Sequence, residues 1–297
     1  MDQVSQAAPG SPRQVSRLPA SGVLTLAPDR DVSRRLLFCS LIAIGYANGI
    51  FQNISAAVSE GGPLSAAMNT FDVSVFVWLS FGAGLLLVGR SSSIESSRGD
   101  WLLIAAAGVA MLLPVPDLSW LANSGLALSL LVRSGPGSTL RRGAAILFAV
   151  TIPMFWARIV MSVFNDTILA VDATLTAWAV GSGRSGNIVP FADGSGAMWI
   201  APGCSSFSNL SLAILAFVGL VNVTSGKWSR ATIGLGALTC ALVVVVNVTR
   251  ISLIGYYPDH YELIHGEVGA GVAGWLTTLL IMAIGWFAVR RDAITLD

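Results

Sequence analysis

The stretch "WIAPGCSSFSNLSLAILAFVGL", residues 199–220, decides the fold because a Pro-Gly pair that interrupts regular structure is followed there by a long apolar run. Pro202 and Gly203 end any preceding structure, and the Ser and Asn residues that follow are suited to the start of a helix. From Leu210 onward the run is apolar, and a helix needs about 20 mostly apolar residues to cross a bilayer. The stretch therefore predicts a membrane-spanning helix that begins at the membrane surface, directly after Cys204.

The composition of the whole chain extends this prediction. Of its 297 residues, 54% are hydrophobic and only 11% are charged, whereas soluble domains have about 25% charged residues. The sequence predicts an all-α, polytopic bundle of about eight transmembrane helices in a lipid bilayer. The third and fourth segments are short and separated only by "PVPD", so they either form a tight hairpin of two spans or do not fully cross. The eight segments are residues 36–54, 73–89, 101–115, 118–132, 143–164, 206–223, 231–256 and 269–289.

The distribution of positive charge predicts the orientation. If the N-terminus is cytoplasmic, 14 of the 17 Lys and Arg residues lie on the cytoplasmic side, as the positive-inside rule requires. The opposite loops, residues 55–72 and 114–117, have none. We therefore expect the chain to lie in an inner (cytoplasmic) membrane, with both termini on its cytoplasmic side. Residues 1–35, rich in Ser, Pro, Ala and Arg, are predicted to be a disordered cytoplasmic tail, and residues 36–297 form the transmembrane domain.

Two segments are predicted to lie outside the membrane on its extracytoplasmic side. Residues 165–203 begin with helical periodicity and continue with turn formers that alternate with short β-prone runs, which indicates a structured loop before the sixth span. Residues 256–268, "YYPDHYELIHGEV", join the last two spans and contain both histidines of the chain. This layout places Cys204, Arg250 and His265 at about one depth, near the outer membrane surface.

Cys204 has two interpretations. At a helix start, free backbone N–H groups and the positive end of the helix dipole favour the thiolate, which is the reactive form of cysteine. The alternative is an inert packing residue, as we expect for Cys39 and Cys240, which lie inside apolar runs. Three cysteines are too few for a disulfide framework.

Arg250 follows a strongly apolar run, where an arginine is costly unless it is paired or faces a polar cavity. It either snorkels to the membrane surface or binds an oxyanion or a carbonyl group of a substrate. Basic residues are scarce on the outer side, which favours a functional role. Asn247 lies one helical turn earlier, on the same face.

A histidine can activate a thiol and later protonate a leaving group. His265 is favoured over His260 because it lies at the start of the last span, before a glycine-rich segment that permits close approach of another element. Asp259, Glu262 and Glu267 are near His265, but we interpret them as solvated loop charges. Two histidines and one thiol do not form a zinc-binding pattern, so we expect no metal and no cofactor, and a net charge of +1 gives no reason to expect nucleic acid.

Three blocks of this sequence resemble the signature blocks of exosortases and archaeosortases: "APGCSSFSNLSLAIL", "NVTRISLI" and "IHGEVGAGVAGWL". In that family a Cys-Ser-Gly block supplies a nucleophile, an Asn-x-x-Arg block an arginine, and a His-x-x-x-Gly block a histidine. The resemblance covers about residues 152–286, and one departure is Ser206, which stands where the family usually has glycine. The matching residues are Cys204, Arg250 and His265 as catalytic groups, with Ser205, Asn247 and Gly269 as supporting ones.

The resemblance implies a membrane-embedded cysteine protease or transpeptidase. Such enzymes recognise secreted, membrane-anchored proteins that carry a C-terminal sorting signal, cut them at the outer membrane face, and are thought to pass the new C-terminus to an acceptor. The rival interpretation is a non-enzymatic transporter or assembly scaffold. Its best feature is Arg158, which falls inside the predicted fifth span and could line a polar path.

Overall fold

A computed structural model describes residues 30–91, 98–224 and 227–294 of the chain. Ten helices and one short hairpin make up this part of the protein. The predicted tail lies outside the described residues up to position 29, and the first helix begins at Arg30, before the predicted start at residue 36. The elements are α1 (Arg30–Met68), α2 (Val75–Gly89), α3 (Arg98–Leu112), α4 (Pro116–Arg133), α5 (Thr139–Thr151), α6 (Ala157–Val180), β1 (Ile188–Pro190), β2 (Ala197–Trp199), α7 (Ser206–Thr224), α8 (Arg230–Tyr256), α9 (Tyr261–His265) and α10 (Glu267–Ile294).

The helical membrane architecture is confirmed at a coarse level. Each of the eight predicted segments is helical, and five helices of the described chain are long and apolar enough to cross a membrane. Two more, Val75–Gly89 and Gly99–Leu112, are apolar but shorter. At a rise of 1.5 Å per residue, each of these reaches only about 22 Å, less than the roughly 30 Å of a bilayer core. The number of spans, eight, therefore stays a prediction.

Two predicted loops are largely helical. Residues 55–68 continue α1, with a break at Gly62 (φ 77°) before Pro63, because their Ala, Ser and Glu residues are compatible with a helix. Residues 139–180 form a second long helical stretch of 42 residues, which includes a π-helical turn at Ile152–Trp156 and a kink at Phe164 (φ −115°, ψ 22°). The structured loop predicted from residue 165 therefore begins as a helical segment that continues α6 beyond this kink.

The first half of the chain packs around aromatic side chains. Tyr46 of α1 stacks on Phe81 of α2, with 3.8 Å between ring centroids, and Trp120 of α4 packs edge-on against Tyr46. The Trp120 indole N–H donates to the carbonyl of Gly49 at 3.2 Å. The same core includes Ala149 and Val150 of α5 and Leu215 of α7. It therefore joins α1, α2, α4 and α5 to the second half of the chain.

The β-hairpin lies between α6 and α8 and carries the chain to α7. β1 and β2 pair in antiparallel fashion, with Val189 opposite Met198, as the β-prone runs predicted. Val189 is fully buried against α6 and α8. Gly255 of α8 permits this approach, because a Cβ there would lie 2.8 Å from Met198 Cε. Its carbonyl accepts from the N–H of Ala192 at 2.9 Å, and the hairpin is thus held firmly beside the segment that contains Cys204.

Candidate active site

Cys204 lies in the turn that leads into α7. It ends a single 3₁₀ turn, Pro202–Cys204, and stands two positions before Ser206, the first residue of the helix. Ser205 caps the helix, because its Oγ accepts from the N–H of Phe207 at 3.2 Å. The half-buried thiol therefore lies at the positive end of the α7 dipole, where an anion is stabilised.

His265 contacts this thiol. The Sγ atom of Cys204 lies 3.3 Å from Nε2 of His265, although the two residues are 61 positions apart. His265 is the last residue of α9, and the ring of Tyr261 stacks on its imidazole with centroids 4.8 Å apart. His260 is exposed, and its ring packs against Tyr257. The structure therefore brings together with Cys204 the histidine that the sequence favoured.

Arg250 contacts the backbone of the histidine segment. Its Nε donates to the carbonyl of Ile264 and its Nη2 to the carbonyl of His265, each at 3.3 Å. These bonds pair two of the three nitrogens of a guanidinium near the end of an apolar helix, and they fix the position of the imidazole through its own backbone. Among the described residues, Nη1 of Arg250 has no hydrogen-bond acceptor.

A cleft of about 260 Å³ lies beside Arg250, between α7, α8 and α10. Its wall is partly polar, with Asn209, Asn247 and the adjacent Thr277 and Thr278, and partly small and apolar, with residues such as Gly274. The cleft therefore leaves space beside the guanidinium.

Asn247 connects α8 to the turn that contains Cys204. It is only 3% exposed, and its Nδ2 donates to the carbonyl of Cys204 at 2.8 Å and to Oγ of Ser206 at 3.1 Å. Its Oδ1 accepts from Asn209 at 3.3 Å. Because both ends of the amide are bonded, Asn247 holds the Cys204 backbone in one position against α8.

Asp172 of α6 supports the same turn from the opposite side, and the sequence analysis missed it. Its Oδ2 accepts from Oγ of Ser205 at 2.7 Å and from the N–H of Ser206 at 3.0 Å, and the residue is 3% exposed. The available signal was an acidic residue within the apolar helical stretch "ILAVDATLTAWAV", residues 168–180. An acidic side chain in such a stretch needs a partner, but nothing in the spacing names Ser205 as that partner.

Gly269 allows α10 to begin immediately behind α9. A Cβ at this position would overlap the carbonyl oxygen of Ile264, the same carbonyl that accepts from Arg250. Glycine is therefore required sterically in the His-x-x-x-Gly block.

The remaining candidates lie apart from the thiol. Asp259, Glu262 and Glu267 are exposed, as predicted, but Glu262 lies on α9 and Glu267 begins α10, so these two are not loop residues. Arg158, the feature that favoured a transporter, has its Nη1 3.8 Å from Oδ1 of Asp117, and both side chains are more than 60% exposed. It therefore lies in a surface ion pair rather than along a buried polar path.

Within the part of the chain that the structure describes, no group of three or more His, Cys, Asp or Glu side chains could hold a metal ion. Comparisons of the chain with models of protein families, with curated proteins and with solved structures find no match.

Proposed function

We propose that this chain is a membrane-embedded cysteine peptidase or transpeptidase that cleaves a C-terminal sorting signal of secreted proteins at the outer membrane face. The observation that carries the proposal is the 3.3 Å contact between Cys204 Sγ and His265 Nε2 at the start of an apolar helix. A nucleophile within hydrogen-bond reach of a base, which is itself oriented by a third group, is the recurring arrangement of covalent catalysis.

The proposed reaction has two steps. His265 accepts the proton of the Cys204 thiol, and the sulfur attacks the peptide carbonyl carbon to give a tetrahedral oxyanion. The C–N bond then breaks, the leaving amine takes the proton from His265, and the acyl group remains on sulfur as a thioester. Water or an amine acceptor, deprotonated by His265, attacks the thioester and releases the thiol.

Arg250 is proposed to act in two ways. Through Nε and Nη2 it holds the carbonyls of Ile264 and His265, and this positions the base. Its remaining N–H groups, beside the cleft, supply a donor for the substrate carbonyl oxygen as negative charge develops there.

The three cysteines of the chain provide an internally controlled test. Cys204→Ala should abolish conversion of the precursor to the cleaved form in the native cell, whereas Cys39→Ala and Cys240→Ala should leave it intact. The measurement is the ratio of uncleaved to mature secreted protein, normalised to the amount of the enzyme in the membrane. Normal processing by Cys204→Ala would contradict the proposal and favour a transporter or a scaffold.

The outer location is tested separately. A chain that keeps only Cys204 should react with a membrane-impermeant thiol reagent added to intact cells or spheroplasts. Labelling that requires the inner face to be opened would place the site in the cytoplasm and overturn the predicted orientation.

A further inference from the structure

A second cavity lies at the other end of α7, far from Cys204. It has a volume of about 680 Å³ and opens between the end of α4, the start of α5 and the end of α7. Three basic residues, Arg141, Arg142 and Lys227, line it together with Asn222 and Trp228, and no Asp or Glu of the described residues does. The 19 residues of α7 place this cavity about 28 Å from the thiol, at the face that the charge distribution predicts to be cytoplasmic.

The two arginines are held in place by helix ends. Arg141 donates through Nη1 to the carbonyls of Leu131 and Ser134, at the end of α4, at 3.2 and 3.1 Å. Arg142 donates to three carbonyls at the end of α7, residues 222–224, at 2.6 to 3.2 Å. Both guanidinium groups are half-buried and fixed, so little side-chain entropy remains to be lost when a ligand binds.

The positive charge of the two arginines in this cavity is not offset by an acidic partner within the described residues. Neither Arg141 nor Arg142 pairs with a carboxylate among the residues that the structure describes. The ends of α4 and α7 each supply a partial charge of about −0.5, and the start of α5 about +0.5. These partial charges leave the two arginines with a net charge of about +1.5.

We propose that this cavity binds the phosphate headgroup of an anionic phospholipid. Basic pockets between transmembrane helices on the cytoplasmic side are suited to such headgroups, because the inner leaflet carries anionic lipids. Trp228 lines the same cavity and is 44% exposed, and tryptophan is enriched at the depth of lipid headgroups. This site is independent of the peptidase proposal, since it shares no side chain with the Cys204 site.

The test compares ligands on the purified full-length chain in neutral detergent. Thermal unfolding midpoints are titrated with short-chain phosphatidylglycerol, short-chain phosphatidylcholine and inorganic phosphate, which yields an apparent Kd for each. We expect phosphatidylglycerol to bind most tightly. Equal binding by phosphatidylcholine would overturn the requirement for an anionic headgroup. Stabilisation by inorganic phosphate that matches phosphatidylglycerol would show that a free anion, and not a lipid, is the ligand.

Two matched double variants localise the site. Arg141→Gln with Lys227→Gln should weaken phosphatidylglycerol binding by about 25-fold, or about fivefold for each charge removed. Arg90→Gln with Arg290→Gln removes the same charge from exposed positions outside the cavity and should leave the affinity unchanged. Equal weakening in both would show nonspecific surface attraction and contradict the site. If the first double variant does not fold in detergent alone, Lys227→Gln by itself decides, with the same fivefold expectation.

Discussion

The two ends of α7 are stabilised by opposite charges, and both charges come from one neighbouring helical stretch. At its start, Asp172 accepts from Oγ of Ser205 and from the N–H of Ser206. At its end, Arg142 donates to the last carbonyls. Residues 139–180 supply both side chains, in the arrangement that the helix dipole favours.

The difference between the ends lies in what surrounds these charges. At the start, Cys204 contacts the amide of Asn247 and the imidazole of His265. The guanidinium of Arg250 in turn holds the backbone of His265. At the end, three basic side chains line a cavity to which none of the described acidic residues contributes. Under the two proposals made above, the start of the helix supports a reaction and its end binds an anion, and substitutions should separate the two.

The largest expected effect is at the base. His265→Ala should slow processing of the precursor by about 100- to 10,000-fold, the usual contribution of a general acid–base group, whereas His260→Ala should leave processing intact. The measurement is the ratio of uncleaved to mature precursor at equal enzyme abundance. If His260→Ala is the inactive variant, the base is misassigned.

Arg250→Lys should lower processing by about 10- to 100-fold, because a lysine cannot hold the carbonyls of Ile264 and His265 with a planar pair of donors. Arg158→Lys, in an exposed ion pair, is the matched control and should process normally. Normal activity of Arg250→Lys would mean that this side chain only anchors α8 at the membrane surface.

Gly269→Ala should lower processing by about tenfold, because the added methyl group forces the carbonyl of Ile264 away from Arg250. Gly271→Ala, two positions further along α10, meets no atom within 4 Å and serves as the control. Equal activities of the two variants would show that the junction between α9 and α10 does not position the base.

Asp172→Asn should have the smallest effect on processing of the precursor, below about fivefold, because an amide oxygen can still accept from Ser205 and Ser206.

Asp172→Ala should lower the free energy of unfolding of the protein by about 1–3 kcal/mol, since it leaves buried polar groups unpaired. Thermal unfolding in detergent measures this difference. Asp193→Ala is the control: the Asp193 carboxyl lies on the exposed hairpin turn, where hydrogen bonds from Ser195 lower its pKa. Equal destabilisation by Asp172→Ala and Asp193→Ala would contradict the positioning role of Asp172.

The sequence was most informative where a local pattern is enough. The helix start after Cys204 follows from the Pro-Gly break and the Ser residues that succeed it, and the β-prone runs indicated β1 and β2. Each of the eight segments that hydropathy located is helical. It placed boundaries less well, because residues 55–68 and 165–180 are compatible with helix and extend α1 and α6, with kinks at Gly62 and Phe164.

The contacts between distant residues could not be read from the sequence. The predicted topology brought Cys204 and His265 to a similar depth, but the 3.3 Å contact depends on how α9 folds back between α8 and α10. Asp172 lies on a different helix from the turn that it supports, and no spacing rule connects them. The contacts of Arg250 with backbone carbonyls depend equally on the position of α9.

The central claim is that Cys204 and His265 act as a nucleophile and its base. The most direct measurement is the rate at which iodoacetamide alkylates Cys204 at neutral pH, in a purified chain that carries Cys39→Ala and Cys240→Ala. Adding His265→Ala should slow alkylation by at least about tenfold, because the thiolate is the reactive form and the variant lacks the group that takes the proton. Adding His260→Ala should leave the rate unchanged. Equal rates in the two histidine variants would contradict the pairing and the mechanism built on it.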